Sequence, residues 1–429
     1  ADRCLALQSP IDKIRALMLD FADLPYQFVP PRPSPLLISL TQLIVGKLAL
    51  PGRRHLVKDL EIRGRSPLHE ACSKGARFVL LPNHSTHSDP QVMLEVSRRL
   101  GIRPSFMAAY DVFTRSRIQG WYMQRTGAFS VDREGGDRKS MKCATDIVVA
   151  GKYPLILFPE GNVYLSNDQV APFAEGASYI ALRAQKAVGT EQPVYAIPVS
   201  LKFTYLEDVR GILKQIIDDL ARQFDTELDR NADFGSEVMR ISTTALNRFL
   251  GQRGYTSPDQ AGTVDDQIHH AAGQIIAALE RKMKLKVPPD VDQTGRIRRI
   301  RATVHAVRTD PDREVDHPAA NHWADEAMLA LRILGYRGGY MAINPTLDRV
   351  AETVARLQED VHSRIFRPVG RRRCIVQLGT PIDLRERLDP FQARAREAIA
   401  ELTRDCETAV QDGINSINAS NEAPGAALF

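Results

Sequence analysis

The stretch Val79-Leu80-Leu81-Pro82-Asn83-His84-Ser85-Thr86-His87-Ser88-Asp89-Pro90 decides how the chain is read. Its apolar half, preceded by Arg77-Phe78, has the length of a short buried strand. From Gln91 to Leu100 the apolar residues Val92, Leu94, Val96 and Leu100 recur at helical spacing. The polar cluster is therefore predicted on a strand-to-helix turn, where α/β sheets gather binding and catalytic groups. His84 and Asp89 stand five residues apart, a spacing that can bring imidazole and carboxylate together across a loop. A carboxylate on one ring nitrogen fixes the tautomer and leaves the other nitrogen to take a proton from a hydroxyl. No protein nucleophile accompanies the pair, so that hydroxyl can be the substrate's. The plain alternative is a solvated histidine, with Ser88 or Asp89 capping the helix.

Outward from this turn the pattern alternates. Strands are expected at 60–64, 104–109, 127–133, 155–158 and 194–201, and helices at 110–125, 139–150 and 175–184. Such alternation predicts an α/β fold, a mixed sheet flanked by helices. Residues 205–370 then change character, with amphipathic stretches at 209–224, 236–250, 264–285 and 344–366 that read as a helical block. A strand at 374–379 and a closing helix over about 390–410 follow. The basic clusters Arg296 to Arg301 and Arg371-Arg372-Arg373 read as solvated faces or, more sharply, as contacts to anionic lipid.

The N-terminal part, 1–59, is expected to be helical. Ser9-Pro10 is a good helix start, and Ile11, Ile14, Leu17, Met18 and Phe21 keep helical spacing. The proline-rich run 26–35 is an extended connector. Residues 35–50 are apolar but contain Gln42 and Lys47 and fall short of the roughly 20 apolar residues of a membrane span. Arg53, Arg54 and His55 follow, so the segment either lies in a membrane interface or packs as a core helix.

Composition narrows the class. With 429 residues, 43% hydrophobic and 25% charged, the chain is globular and long enough for two or three domains. A net charge of +5 permits an anionic membrane surface or acidic substrates, and no nucleic-acid partner is expected. The five cysteines include no Cys-x-x-Cys pair, so neither a disulfide framework nor a zinc site is expected. A reduced, cytoplasmic setting fits, and no signal peptide is expected. Gly135-Gly136-Asp137-Arg138-Lys139-Ser140 lacks the residue order of a phosphate loop.

Two further turns carry chemistry. Asp132-Arg133 ends a strand, where the guanidinium can hold a phosphate bidentately or make an ordinary salt bridge. Phe158-Pro159-Glu160-Gly161 puts a carboxylate on a tight turn where it can hydrogen-bond a polyol, with a glycine that allows close approach. Taken in order, Asn83-His84-(four residues)-Asp89, Gly127 to Arg133, Phe158-Pro159-Glu160-Gly161 and Ile197-Pro198-Val199 resemble the four sequence blocks of the glycerolipid acyltransferases. The resemblance covers about residues 60–204, and 374–382 resembles the strand that closely follows the fourth block in typical members. It therefore implies a discontinuous catalytic domain, 60–204 with 371–429, interrupted by a helical insertion at 205–370.

The resemblance also implies roles. His84 would be the general base, oriented by Asp89. It would deprotonate a hydroxyl of glycerol phosphate or a lysophospholipid, which attacks the thioester of acyl-CoA or acyl carrier protein. Asn83, Arg133, Glu160 and Gly161 would bind substrate. No metal or cofactor is expected, and a peripheral membrane location is. Many members carry Thr-Arg after Pro-Glu-Gly, the Arg helping to bind the acceptor phosphate. This chain has Asn162-Val163-Tyr164, which leaves Arg133 as the candidate phosphate contact. Two rival readings of the same residues exist. A metallohydrolase would use His84, His87 and Asp89, but Ser85 and Pro90 stand where further histidines would be needed. A membrane scaffold that has lost catalysis would not need His84, Asp89 and Glu160 intact.

Overall fold

The computed structural model describes residues 26–68, 76–133, 137–229, 231–257, 262–286, 288, 291–309, 317–336, 339–342 and 344–429. The helix expected after Ser9-Pro10 lies outside them, as do Cys4 and Cys72. Two compact units are distinguished. One holds a sheet and comprises Gln27–Arg210, Thr346–Glu352 and Arg367–Phe429. The other includes Gly211–Pro345 and Thr353–Phe366.

The sheet has eight strands: β1 (Val57–Arg63), β2 (Arg77–Pro82), β3 (Ser105–Ala109), β4 (Ala128–Val131), β5 (Leu155–Ile156), β6 (Val194–Tyr205), β7 (Arg372–Leu378) and β8 (Ile382–Asp383). Their order is β1-β7-β6-β2-β5-β3-β4, with β8 beside β6. The sheet is mixed and flanked by helices, as expected. Strands β2 to β6 run parallel, while β7 lies antiparallel to β6 and carries β1 parallel to itself. The N-terminal ends of β1 and β7 therefore share an edge with the C-terminal ends of β2 and β6.

Strand β2 is buried on both faces, which is why its sequence is an unbroken apolar run. Val79 and Leu81 face a core built with Phe129, Val148, Leu155, Leu182, Leu402 and Val410. Phe78 and Leu80 face another, built with Val92, Met93, Val96, Leu201 and Val376. Burying each such side chain is worth about 1.5–3 kcal/mol, so the position of β2 is strongly set.

Strand β6 outruns β2, whose pairing ends at Pro82 opposite Val199. Side chains continue the ladder on that edge. The Asn83 amide accepts from Leu201 N–H at 2.7 Å and donates to Leu201 O at 3.0 Å. Asn167 does the same for Phe203, at 2.8 and 2.6 Å, and Asp348 accepts from Tyr205 N–H at 3.0 Å. Buried backbone groups that would otherwise lack partners are thus satisfied.

Several elements differ from expectation. The strand at 155–158 is only two residues long; the Leu157 N–H still donates to Leu80 O at 3.1 Å, and Phe158-Pro159 then turns away from the sheet pairing. The closing helix is broken at Arg394 (φ −142°, ψ 72°) into Leu388–Ala393 and Ala395–Ala419. Residues 35–50 form the helix Pro35–Ile44, prolonged by a π-helical turn at Val45–Ala49. Among the described residues no helix is long and apolar enough to cross a membrane.

The second unit is helical: Phe234–Gly251, Val264–Met283, Gln293–Thr309 and His317–Leu334 contribute to one core. The Arg296 to Arg301 cluster belongs to Gln293–Thr309. Ile297 and Ile300 of that cluster are buried, and Arg296 is bidentate on Glu280 at 2.8 and 2.5 Å. Arg298 and Arg299 form the solvated face of this helix, while Ile297, Ile300 and Arg301 are buried.

The capped edge of β6 makes a prediction. Asn167→Ala leaves the Phe203 N–H and C=O without these partners, a cost of about 1–3 kcal/mol. Hydrogen exchange at the Phe203 amide should then accelerate about 10- to 100-fold. Unchanged protection would contradict the capping role.

Candidate active site

The turn after β2 is organised by the Asp89 carboxylate, which is completely buried. Its Oδ2 accepts from His84 Nδ1 at 2.9 Å and from Thr86 N–H at 2.9 Å. Its Oδ1 accepts from the Thr86 hydroxyl at 2.8 Å. An ionised carboxylate only accepts, so the His84 proton resides on Nδ1 and Nε2 presents a lone pair. Asp89 also lies in the first turn of the helix Asp89–Arg99, where the helix dipole favours negative charge. Ser88 occupies the N-cap position without capping through its side chain.

Two other turns converge on the same loop. Glu160 follows β5 and is buried. Its Oε1 accepts from His84 N–H at 2.7 Å, and its Oε2 accepts from Ala171 N–H at 3.2 Å. The same turn stacks the Phe158 ring on the His84 imidazole, with centroids 4.3 Å apart and planes 27° apart. Gly161 has φ +74°, which disfavours any side chain there, and the direction of a Cβ is open. Arg133, two residues beyond β4, donates to Asn162 Oδ1 at 3.1 Å and lies 3.5 Å from Asp111 Oδ1. The chain thus brings His84, Asp89 and Glu160 into direct contact, with Gly161 on the same turn, and joins Arg133 to it through Asn162. Asn83 is different: it precedes His84, but its amide is engaged with Leu201 of the sheet.

His55, Ser88 and Arg372, together with Thr86, were not singled out as functional from the sequence. Arg372 begins β7 and is buried, as is His55, two residues before β1. The Arg372 Nη2 donates to His55 O at 2.8 Å and to Ser88 Oγ at 3.0 Å. The Ser88 hydroxyl lies 3.0 Å from His55 Nδ1. The guanidinium stacks over Phe203, 4.8 Å from the ring centroid. A signal for Arg372 exists in strand alternation: of Arg371-Arg372-Arg373, Arg371 pairs with Glu207 and Arg373 with Asp59, while Arg372 points inward. The reading of this cluster as a solvated face fails at Arg372 for that reason.

Desolvation, with Arg54, Arg372 and His87 nearby, lowers the His55 pKa to about 4. His55 is therefore neutral at neutral pH, and its Nδ1 shares a hydrogen bond with the Ser88 hydroxyl.

The comparisons can now be set beside this geometry. An acyltransferase family model matches residues 59–202. A 1-acyl-sn-glycerol-3-phosphate acyltransferase from Streptococcus pneumoniae is 28% identical over 168 residues. Residues 59–202 are thus similar to an acyltransferase domain, and part of the chain is similar to a glycerolipid acyltransferase. The pneumococcal match spans 36% of this chain and 60% of that protein's length. The family match ends within β6, so the acyltransferase segment carries His84, Asp89, Arg133 and Glu160 but not Arg372.

The lowered His55 pKa sets a stability change. The unfolded chain takes up this proton near pH 6.5 and the folded chain only near 4. Stability from neutral His55 is therefore whole above about 6.5 and is lost as the pH falls toward 4, on the order of 3 kcal/mol in all. His55→Gln should lose less stability than the wild type across that window in denaturation titrations. Parallel pH curves for the two proteins would contradict it.

Proposed function

We propose that this acyltransferase transfers a fatty acyl group from a thioester, acyl-CoA or acyl carrier protein, to a hydroxyl of glycerol phosphate or a lysophospholipid. The observation that carries the proposal is the Nδ1–H bond of His84 to buried Asp89, which leaves Nε2 without a partner among the described residues. Nε2 takes the acceptor proton as the hydroxyl oxygen attacks the thioester carbonyl. The tetrahedral intermediate collapses, the C–S bond breaks, and the thiolate leaves with the proton from the imidazolium. The products are an ester and a free thiol. The chemistry asks for no metal, no cofactor and no covalent acyl-enzyme.

Asp89 keeps the tautomer and stabilises the imidazolium. Glu160 fixes the loop through the His84 N–H, Gly161 leaves room beside it, and Asn83 anchors the loop to β6. Arg133 is the candidate contact for the acceptor head group. Asp111 and Asn162 share that guanidinium, and Val163 stands where many relatives carry a second cation. This favours an acceptor held by few phosphate contacts.

The enzyme works on a peripheral membrane surface in this proposal. Leu36, Leu40, Leu43, Ile44 and Leu48 are exposed on Pro35–Ile44 and its π-helical extension. Ile118 and Trp121 are exposed on the helix Arg117–Arg125, and a 2.8 Å bond between the Thr41 and Tyr122 hydroxyls joins the two helices. Lys47 and Arg117 are exposed in the same two segments, and Arg53 and Arg54 are exposed in the turn that follows the first. An apolar patch with basic neighbours fits an anionic lipid surface.

Two measurements test the proposal. Acceptor-dependent thiol release from acyl-CoA or acyl carrier protein should fall about 100- to 10,000-fold in His84→Ala. Release unaffected by the substitution would remove His84 as the base. Leu40→Asp with Trp121→Asp should abolish co-sedimentation with anionic vesicles while soluble donor hydrolysis controls stay unchanged; undiminished sedimentation would reject this face.

A further inference from the structure

The strands that run against the rest of the sheet deliver their first residues to the active edge. Arg372 opens β7 and pairs in register with Tyr205 of β6 and Val57 of β1. Its guanidinium ties together two segments far apart in sequence, His55 before β1 and Ser88 before the catalytic helix. Ser88 is the residue next to Asp89. Within the described residues Arg372 Nε has no hydrogen-bond partner, and no carboxylate closes a direct salt bridge on the guanidinium. An unpaired buried cation is costly, and its retention calls for a reason beyond packing. Burial lowers the Arg372 pKa, and Tyr205, Cys374, Asp89 and Glu352 lie in its field and oppose that shift.

We propose that Arg372 is a positioning residue of the acyl-transfer site: through Ser88 and His55 it fixes the turn that carries Asp89, and it places a positive charge behind the Asp89–His84 pair. This rests on the proposal above that His84 is the base. Ser88 is the joint of the device. Its hydroxyl accepts from Arg372 and is hydrogen-bonded to His55 Nδ1, and its N–H donates to Thr86 Oγ1 at 3.1 Å, the same hydroxyl that donates to Asp89. A chain of hydrogen bonds therefore runs from Arg372 of β7 through Ser88 and Thr86 to the carboxylate that orients the base. The return segment after the helical block supplies a part of the site that the matched acyltransferase segment alone does not contain.

The charged and titratable groups around the pair set the direction of the pH effect. Asp89 and the Glu160 carboxylate bond His84 directly. Arg372 comes from β7, His55 from the segment before β1, and His87 from the turn itself. Cys374, on β7, is a buried thiol held far above its usual range by desolvation and by Asp89. Arg372 is the cation in this set that stays charged through the working range. Its removal makes His84 easier to protonate.

The test uses the full chain with Arg372→Met, Arg372→Lys and Ser88→Ala. Two readouts are taken: steady-state acyl transfer against pH, and the His84 titration midpoint from C2-hydrogen exchange by mass spectrometry. Arg372→Met should lower kcat about 10- to 100-fold with the acceptor KM within about twofold. It should raise both the acid limb of kcat and the His84 midpoint by on the order of half a unit or more. Arg372→Lys should return the midpoint, since it keeps the charge, but not the full kcat, since an ammonium lacks the planar fork. Folded Arg372→Met with wild-type kcat and a wild-type midpoint would overturn the inference. If Arg372→Met does not fold, Ser88→Ala decides: a severalfold loss of kcat with an unmoved midpoint supports the linkage, and wild-type kcat overturns it. If the wild type transfers no acyl group to any acceptor, the functional proposal fails by itself. The His84 midpoints, which need no turnover, still decide what Arg372 does.

Discussion

A carboxylate buried to zero exposure has to find donors for its charge, and Asp89 finds three, supplied by two residues of its own loop. That requirement shapes the turn. The Thr86 N–H and hydroxyl fold the loop back on the helix N-terminus, and the His84 ring is drawn to the remaining lone pair. A desolvated ion costs several kcal/mol when unpaired, so few alternative conformations of this loop can compete. The imidazole is left with one committed nitrogen and one available nitrogen, which is the arrangement a general base requires.

The sheet makes this turn possible by placing three loop ends on one edge. Strand β2 brings His84, β5 brings Glu160, and β4 brings Arg133. Beyond Val199, β6 would present bare backbone at the same place. Asn83, Asn167 and Asp348 cover it, so the residue beside His84 also closes the sheet. A buried ion cluster stiffens the next layer: Lys202 pairs with Asp168, which also accepts from Arg349 at 2.6 Å and Asn418 at 3.0 Å. Burial alone would raise the Asp168 pKa, but Lys202 and Arg349 outweigh it and hold it at about 2.

Much of this was legible in the sequence because it rests on local pattern. The apolar run of β2, the helical spacing after Gln91 and the Pro-Glu-Gly turn each declare their element. The pairing of His84 with Asp89 follows from five-residue spacing across a strand-to-helix turn. What was not legible depends on partners far along the chain. Nothing near Asn83 says that its amide will meet Leu201, so its proximity to His84 invited a substrate-binding role. Arg372 sits in a run of three arginines whose flanking members face outward, and only strand alternation turns the middle one inward. Its target, Ser88, is 284 residues away. The break at Arg394 likewise lies inside a stretch whose apolar periodicity reads as one helix. Residues 35–50 stayed open between core and membrane because one face is buried at Ile38, Thr41 and Gln42 while Leu36 and Leu48 remain exposed.

The measurement closest to the central claim is the nitrogen-15 spectrum of His84 at neutral pH. The account predicts a neutral ring protonated at Nδ1, with Nε2 showing the shift of an unprotonated nitrogen, and loss of that preference in Asp89→Asn. A proton on Nε2 in the wild type, or a ring that is charged throughout the working pH range, would contradict the assignment of His84 as the base.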